Sequence, residues 1–322
     1  TNMAAKDFFN GVVLIARDGK VLLNKGYGTA NRELAVPMHE ATKFRIGSLT
    51  SLFTALAVMR LVQDGAVSLD SSICTYIDNC PAAWQPITID HLLARTSGLR
   101  PFESVPGIAQ ARKVGAAPAE LIKLYREQPL DAQPGQRWNY SAMNDILLGL
   151  VVEKAGGGYA AFVQKNILDP LALKDTGVDH SHRLLDDRAA GYANAYALAD
   201  PIDIGVMGAA GALYSTVGDL YRLEEGLASG AILSDTSAAQ MTAPHTQISN
   251  FYGGSADYGY GWFRKDYDGH DRLIATGGVE GYMADMHVFP EDKLVVIVLG
   301  NRDDQDTFPT SELIEGWILG GK

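Results

Sequence analysis

Near its C-terminal end the chain carries Leu294-Val295-Val296-Ile297-Val298-Leu299, an apolar run with no in–out alternation. A strand with one wet face alternates, so this run reads as a central strand covered on both faces. Such a strand needs partners, and both ends of the chain offer them. At the start, VVLIAR and KVLLNKGYG flank Asp18-Gly19, a strong two-residue hairpin signal. Near the end, MADMHVF and LVVIVLGN flank PEDK, and GYGWFRKDY and RLIATGG flank DGHD, which predicts two more hairpins. A helix over about 310–319 closes the chain.

The middle has a different character. Ser48 to Gly65 is helical in pattern, apolar around most of its circumference and stopped by a glycine, so it should be a buried helix. Further helices are expected over 89–93, 118–126, 142–155, 159–167 and 217–227, separated by Pro- and Gly-containing loops. The economical architecture is an α/β (α+β) fold. One antiparallel sheet is made from both chain termini and flanked by helices, with a mainly helical part inserted. The expected boundaries are about 1–47 and 250–322 for the sheet and about 48–249 for the helices, within one domain of 1–322.

Charge and composition exclude several functions. A net charge of -11 and a pI near 5.1 argue against a nucleic-acid partner. The longest mostly apolar stretches, 52–62 and 146–152, are too short to span a bilayer. His180 and His182 lie two apart without a zinc-type motif and read as a surface loop, so no metal or other cofactor is expected. Cys74 and Cys80, in ICTYIDNCP, could close a small disulfide loop or remain free thiols. With a first residue, Thr1, that leaves room for a removed leader, they give an expectation of export, periplasmic or secreted.

The chemistry centres on FRIGSLTSLFTALAVMRLVQDG. A serine at the mouth of a buried helix sits where free N–H groups and the helix dipole favour negative charge. Backbone donors there can stabilise an oxyanion. Ser48 is equally a good N-cap, and on this stretch alone capping is the simpler reading.

The wider pattern changes the weighing. Phe44-Arg45-Ile46-Gly47-Ser48-Leu49-Thr50 and its helix resemble the nucleophile segment of the serine β-lactamase and penicillin-binding-protein superfamily, closest to its class C and esterase-like branch. ITIDHLL with TSGL (87–99), PG with WNYS (134–141), LLG (147–149), GAAGALYSTVGD (208–219) and TGG with GY (276–282) resemble later segments of that family, in its order. The resemblance implies the β-lactamase/transpeptidase fold and an acyl-serine at Ser48 formed from an ester, amide or β-lactam. It places Tyr140 as the proton-handling partner, with Thr276, Gly277 and Gly278 lining the pocket. The expected partner is a small-molecule or peptide substrate.

Three polar groups of that pattern are missing. The lysine of S-x-x-K, one helical turn after the nucleophile, is Ser51; the asparagine of Y-x-N is Ala142; the Lys or His opening the third motif is Ala275. A positioned general base contributes ~10²–10⁴ in rate, so a hydrolase without them should be slow. Asp145 and Glu280 are candidate replacement acid–base groups for work with Tyr140. Arg95 stands where relatives often carry His, and residues 100–117 are expected at the cleft entrance. Three readings follow: a weakened or altered serine hydrolase, a repurposed enzyme for acyl transfer, cyclisation or elimination, and a non-catalytic or redesigned binding protein. In a pocket otherwise intact, Ser51→Lys should raise ester hydrolysis; no gain would mean that the rest had been rebuilt.

Overall fold

The computed structural model of the chain describes residues 9–320; the first eight residues of the expected sheet segment lie outside the described residues. The main sheet runs, edge to edge, Thr246–Phe251, Gly254–Tyr258, Phe263–Arg264, Leu273–Val279, Tyr282–Phe289, Leu294–Gly300, Gly11–Arg17 and Lys20–Tyr27, each antiparallel to its neighbour. Both chain ends therefore meet in one sheet. The first hairpin turns at Asp18 (φ 53°) and Gly19 (φ 72°), the pair of positive dihedrals that matches a tight turn to strand twist.

The helices are α1 (Thr50–Gln63), α2 (Ile89–Leu93), α3 (Ile108–Val114), α4 (Pro118–Arg126), α5 (Met143–Gly156), α6 (Tyr159–Val163), α7 (Val217–Ala228), α8 (Asp235–Thr242) and α9 (Thr307–Leu319). Leu294–Gly300 is buried at every position. Val295, Ile297 and Leu299 join the larger core with α1 and α7, while Leu294, Val296 and Val298 pack in a second core with Ile314 of α9. Helices on both faces remove the need for alternation. Among the described residues no single helix is long and apolar enough to cross a membrane.

Some boundaries differ from expectation. Helix α9 begins at Thr307, because Pro309 falls in the first turn, where no N–H is needed, and Asp306 caps the end by accepting from the Phe308 N–H. The segment over 159–167 is α-helical only to Val163 and widens into a π turn, Gln164–Leu168. Helices α3 and α8 and the edge hairpin from Thr246 carry too little apolar periodicity to announce themselves. Cys74 and Cys80 are disulfide-bonded.

A buried ionic cluster ties α9 to the sheet. Arg272 donates to Glu315 at 2.6 Å, and Glu315 also holds the Nδ1 of His287, all three side chains being fully buried. Burial works against charge on His287, but hydrogen bonds and charges from Asp285 and Glu315 outweigh it and raise its pKa. A raised folded pKa gives stability that is complete below the ordinary histidine value of about 6.5 and lost as pH climbs through the raised one. His287→Gln should therefore cost about 3–5 kcal/mol in acid solution. The gap between the two urea midpoints should narrow steadily from pH 6 to pH 9; a constant gap would show that the histidine is not charged.

Candidate active site

Ser48 lies in the short 3₁₀ turn Gly47–Leu49 that runs directly into α1. Strand Leu273–Val279 presses against this turn. A Cβ on Gly47 (φ 48°) would lie 2.6 Å from the Gly278 carbonyl carbon, and one on Gly277 would lie 2.2 Å from the Ile46 oxygen and 2.8 Å from the Ser48 nitrogen. The two glycines thus let the strand backbone reach the nucleophile turn. The Ser48 N–H, at the start of the helical stack, lies beside that strand and is suited to hold an oxyanion.

Ser48 Oγ and Tyr140 Oη are 2.6 Å apart. Tyr140 precedes α5, where Pro- and Gly-containing loop sequence gives way to a buried helix. The guanidinium of Arg95 lies over its ring, 5.2 Å from the centroid. Arg95 follows α2 in the left-handed region (φ 61°), which turns its side chain into the interior, where it is buried. Its Nη2 donates to Ser51 Oγ at 3.0 Å, its Nε to Tyr258 Oη at 3.1 Å, and its Nη1 to the Ser141 carbonyl at 3.3 Å and to the Asp145 carboxylate.

A cation therefore sits next to position 51, brought from another element of the chain. Unlike an amine, a guanidinium keeps its proton and cannot serve as a base. The pocket is thus not one that merely lacks a lysine, since the space beside Ser51 Oγ is taken.

Asp145 is the ion partner of Arg95, buried with it. Burial pushes the Asp145 carboxyl up and Arg95 pulls it back. Burial also opposes the charge on Arg95, but Asp145 and the facing tyrosines raise its pKa. Tyr140 is pushed above its ordinary value by burial, with Arg95 and the hydrogen bond to Ser48 pulling it down in part.

The other expected site residues are more scattered. Glu280 pairs with Arg112 of α3 at 2.6 Å, joining the 100–117 segment to the turn after Gly278. Ala142 and Ala275 are both buried in the main core. Thr276 is half-buried on strand Leu273–Val279, between Ala275 and Gly277. Asn144 accepts from Ser97 at 2.5 Å and donates to the Ser141 carbonyl, tying α5 to the loop after α2. The sequence does not point to Tyr258; it arrives from strand Gly254–Tyr258, second from the sheet edge, with no motif around it. Among the described residues no group of three or more His, Cys, Asp or Glu could hold a metal, His180 and His182 included.

Comparison with known proteins places this geometry. The chain is 26% identical to penicillin-binding protein 4* of Bacillus subtilis (strain 168) over 95% of its length and 71% of that protein. It is 33% identical to esterase EstB of Burkholderia gladioli over 52% of its length, spanning under half (46%) of that relative. Its fold superposes on the octameric penicillin-binding protein homologue from Pyrococcus abyssi with a TM-score of 0.86 and 28% identity, covering 99% of this chain and 75% of that one. The fold is accordingly the β-lactamase/transpeptidase fold. With the Beta-lactamase family model matching residues 1–315, the chain belongs to the Beta-lactamase family.

Proposed function

We propose that this protein is a serine hydrolase of esters or amides, acting through an acyl-serine at Ser48 with Tyr140 as its base and Arg95 as a fixed cation. The 2.6 Å approach of Ser48 Oγ to Tyr140 Oη, at a helix mouth closed by Gly277 and Gly278, carries the reading. The esterase and penicillin-binding relatives support the same class of substrate.

In acylation, the Tyr140 phenolate takes the Ser48 proton as Oγ bonds to the substrate carbonyl carbon. The carbonyl electrons move to oxygen, towards the Ser48 N–H. As the intermediate collapses, the bond to the alcohol or amine breaks and Tyr140 returns the proton to that leaving group. In deacylation, water attacks the ester carbon, Tyr140 accepts the water proton, and Ser48 leaves as the alcohol by taking that proton back. Arg95 favours the phenolate by charge, over Tyr140 as it is. It touches neither reacting atom in this scheme, so its role is to position and polarise. The Cys74–Cys80 bond favours work in an oxidising compartment outside the cytosol.

Intact-mass spectrometry after exposure to a fluorophosphonate, an aryl ester and a penicillin tests the acyl-serine. An adduct that is absent from Ser48→Ala is expected with the fluorophosphonate at least. No adduct from any probe would overturn the reading. One observation favours a second reading, a repurposed enzyme: a Tyr140 raised above its ordinary pKa is a proton donor at neutral pH. Turnover that survives Ser48→Ala would select it, and neither adduct nor turnover would leave a binding protein.

A further inference from the structure

A second cavity, of about 660 Å³, opens between the sheet and helices α7 and α8, within the size range of small-molecule sites. Leu273, on its wall, stands four residues along the strand from Gly277, ~13 Å away at the usual rise per residue, so the cavity is remote from Ser48. Leu227, Ala238, Met241, Trp262, Val288 and Leu294 supply much of its apolar lining.

One residue breaks the pattern. On α7, Val217, Leu220 and Tyr221 are buried, and Glu224 follows at the same helical spacing, half-buried, where with Tyr221 it lines the cavity. Glu224 makes no hydrogen bond or ion pair with any described residue, and burial alone pushes its pKa up to about 8. The cavity wall also carries Asp235 and an exposed Lys293, which makes three carboxyl groups against one ammonium.

We propose that this cavity binds a lipophilic primary amine as its ammonium ion, with Glu224 as the counter-ion and the apolar wall taking the alkyl or aryl body. A half-buried carboxylate beside an apolar wall is less well solvated than one in open water and has no partner among the described residues, so it gains from a cation. A cation with an apolar tail satisfies both halves of the site. An anionic amphiphile would have to use Lys293 at the rim and leave Glu224 unmatched.

Isothermal titration calorimetry of the full chain with octylammonium, 1-octanol and octanoate tests this. Octylammonium should bind at least tenfold more tightly than the other two. Binding should release protons at pH 7, since a carboxyl raised towards 8 is largely protonated there and must ionise to pair. Glu224→Gln should remove the proton release and the preference for the amine, while 1-octanol binding stays within twofold. Tighter octanoate binding, an unchanged preference in Glu224→Gln, or no binding at millimolar ligand would overturn the proposal. Should Glu224→Gln fail to fold, ligand ranking and proton release in the unaltered protein still decide.

Discussion

Arg95→Met is expected to destabilise the protein by about 3–5 kcal/mol, read as a drop in the urea midpoint at unchanged m-value. Arg95 sits in the interior with donors directed to Ser51, Tyr258, Ser141 and Asp145. Its removal leaves the Asp145 carboxylate buried without a counter-charge, the costly half of any broken ion pair. Methionine keeps the unbranched stem and meets the same left-handed backbone at position 95, so the comparison isolates the charge together with the hydrogen bonds it makes. The double variant Arg95→Met/Asp145→Leu should recover most of the loss, since replacing both partners by apolar groups removes the unmatched charge. A single-variant cost below about 1 kcal/mol, or no recovery in the double, would mean that the pair does not organise the pocket.

Tyr140→Phe is expected to lower kcat/KM for an activated ester by about 10²–10⁴, the contribution of a positioned base. It leaves the ring beneath Arg95 and removes only the hydroxyl that meets Ser48. The pH profile separates this role from a structural one. Burial raises the tyrosine above its ordinary value near 10, so the competent phenolate is scarce at neutral pH and becomes commoner as pH rises. After subtraction of a Ser48→Ala blank, log kcat/KM should climb with a slope near one from pH 7 to 10 without a plateau. The Phe variant should lose that slope. A flat profile in the unaltered protein would remove Tyr140 from the role of base.

Much of the fold is legible in the sequence because it rests on local patterns. The Asp18-Gly19 turn, the unalternating run at 294–299 and the glycine-stopped apolar helix after Ser48 each state their geometry within a few residues. The run at 294–299 even implies its own coverage, since six apolar side chains on two faces require a layer on each. Where pattern fails, a backbone effect takes over. Pro309 looks like a barrier but sits in the one turn of α9 that tolerates it.

The site divides differently. The sequence by itself determined which serine lies at the helix mouth, which tyrosine belongs to it, and that the residues at 51, 142 and 275 depart from the pattern. Only the tertiary structure decided what stands in their place. Arg95, Asp145 and Tyr258 come from the end of α2, from α5 and from the second strand of the sheet, separated by 50, 113 and 163 positions. No periodicity links such positions, because a hydrogen bond depends on distance in space and on shared exclusion of water. The same reason hid the fate of Glu280, whose partner Arg112 lies 168 residues away. Local sequence sets which groups a segment offers, and the packing of distant segments sets which of them meet.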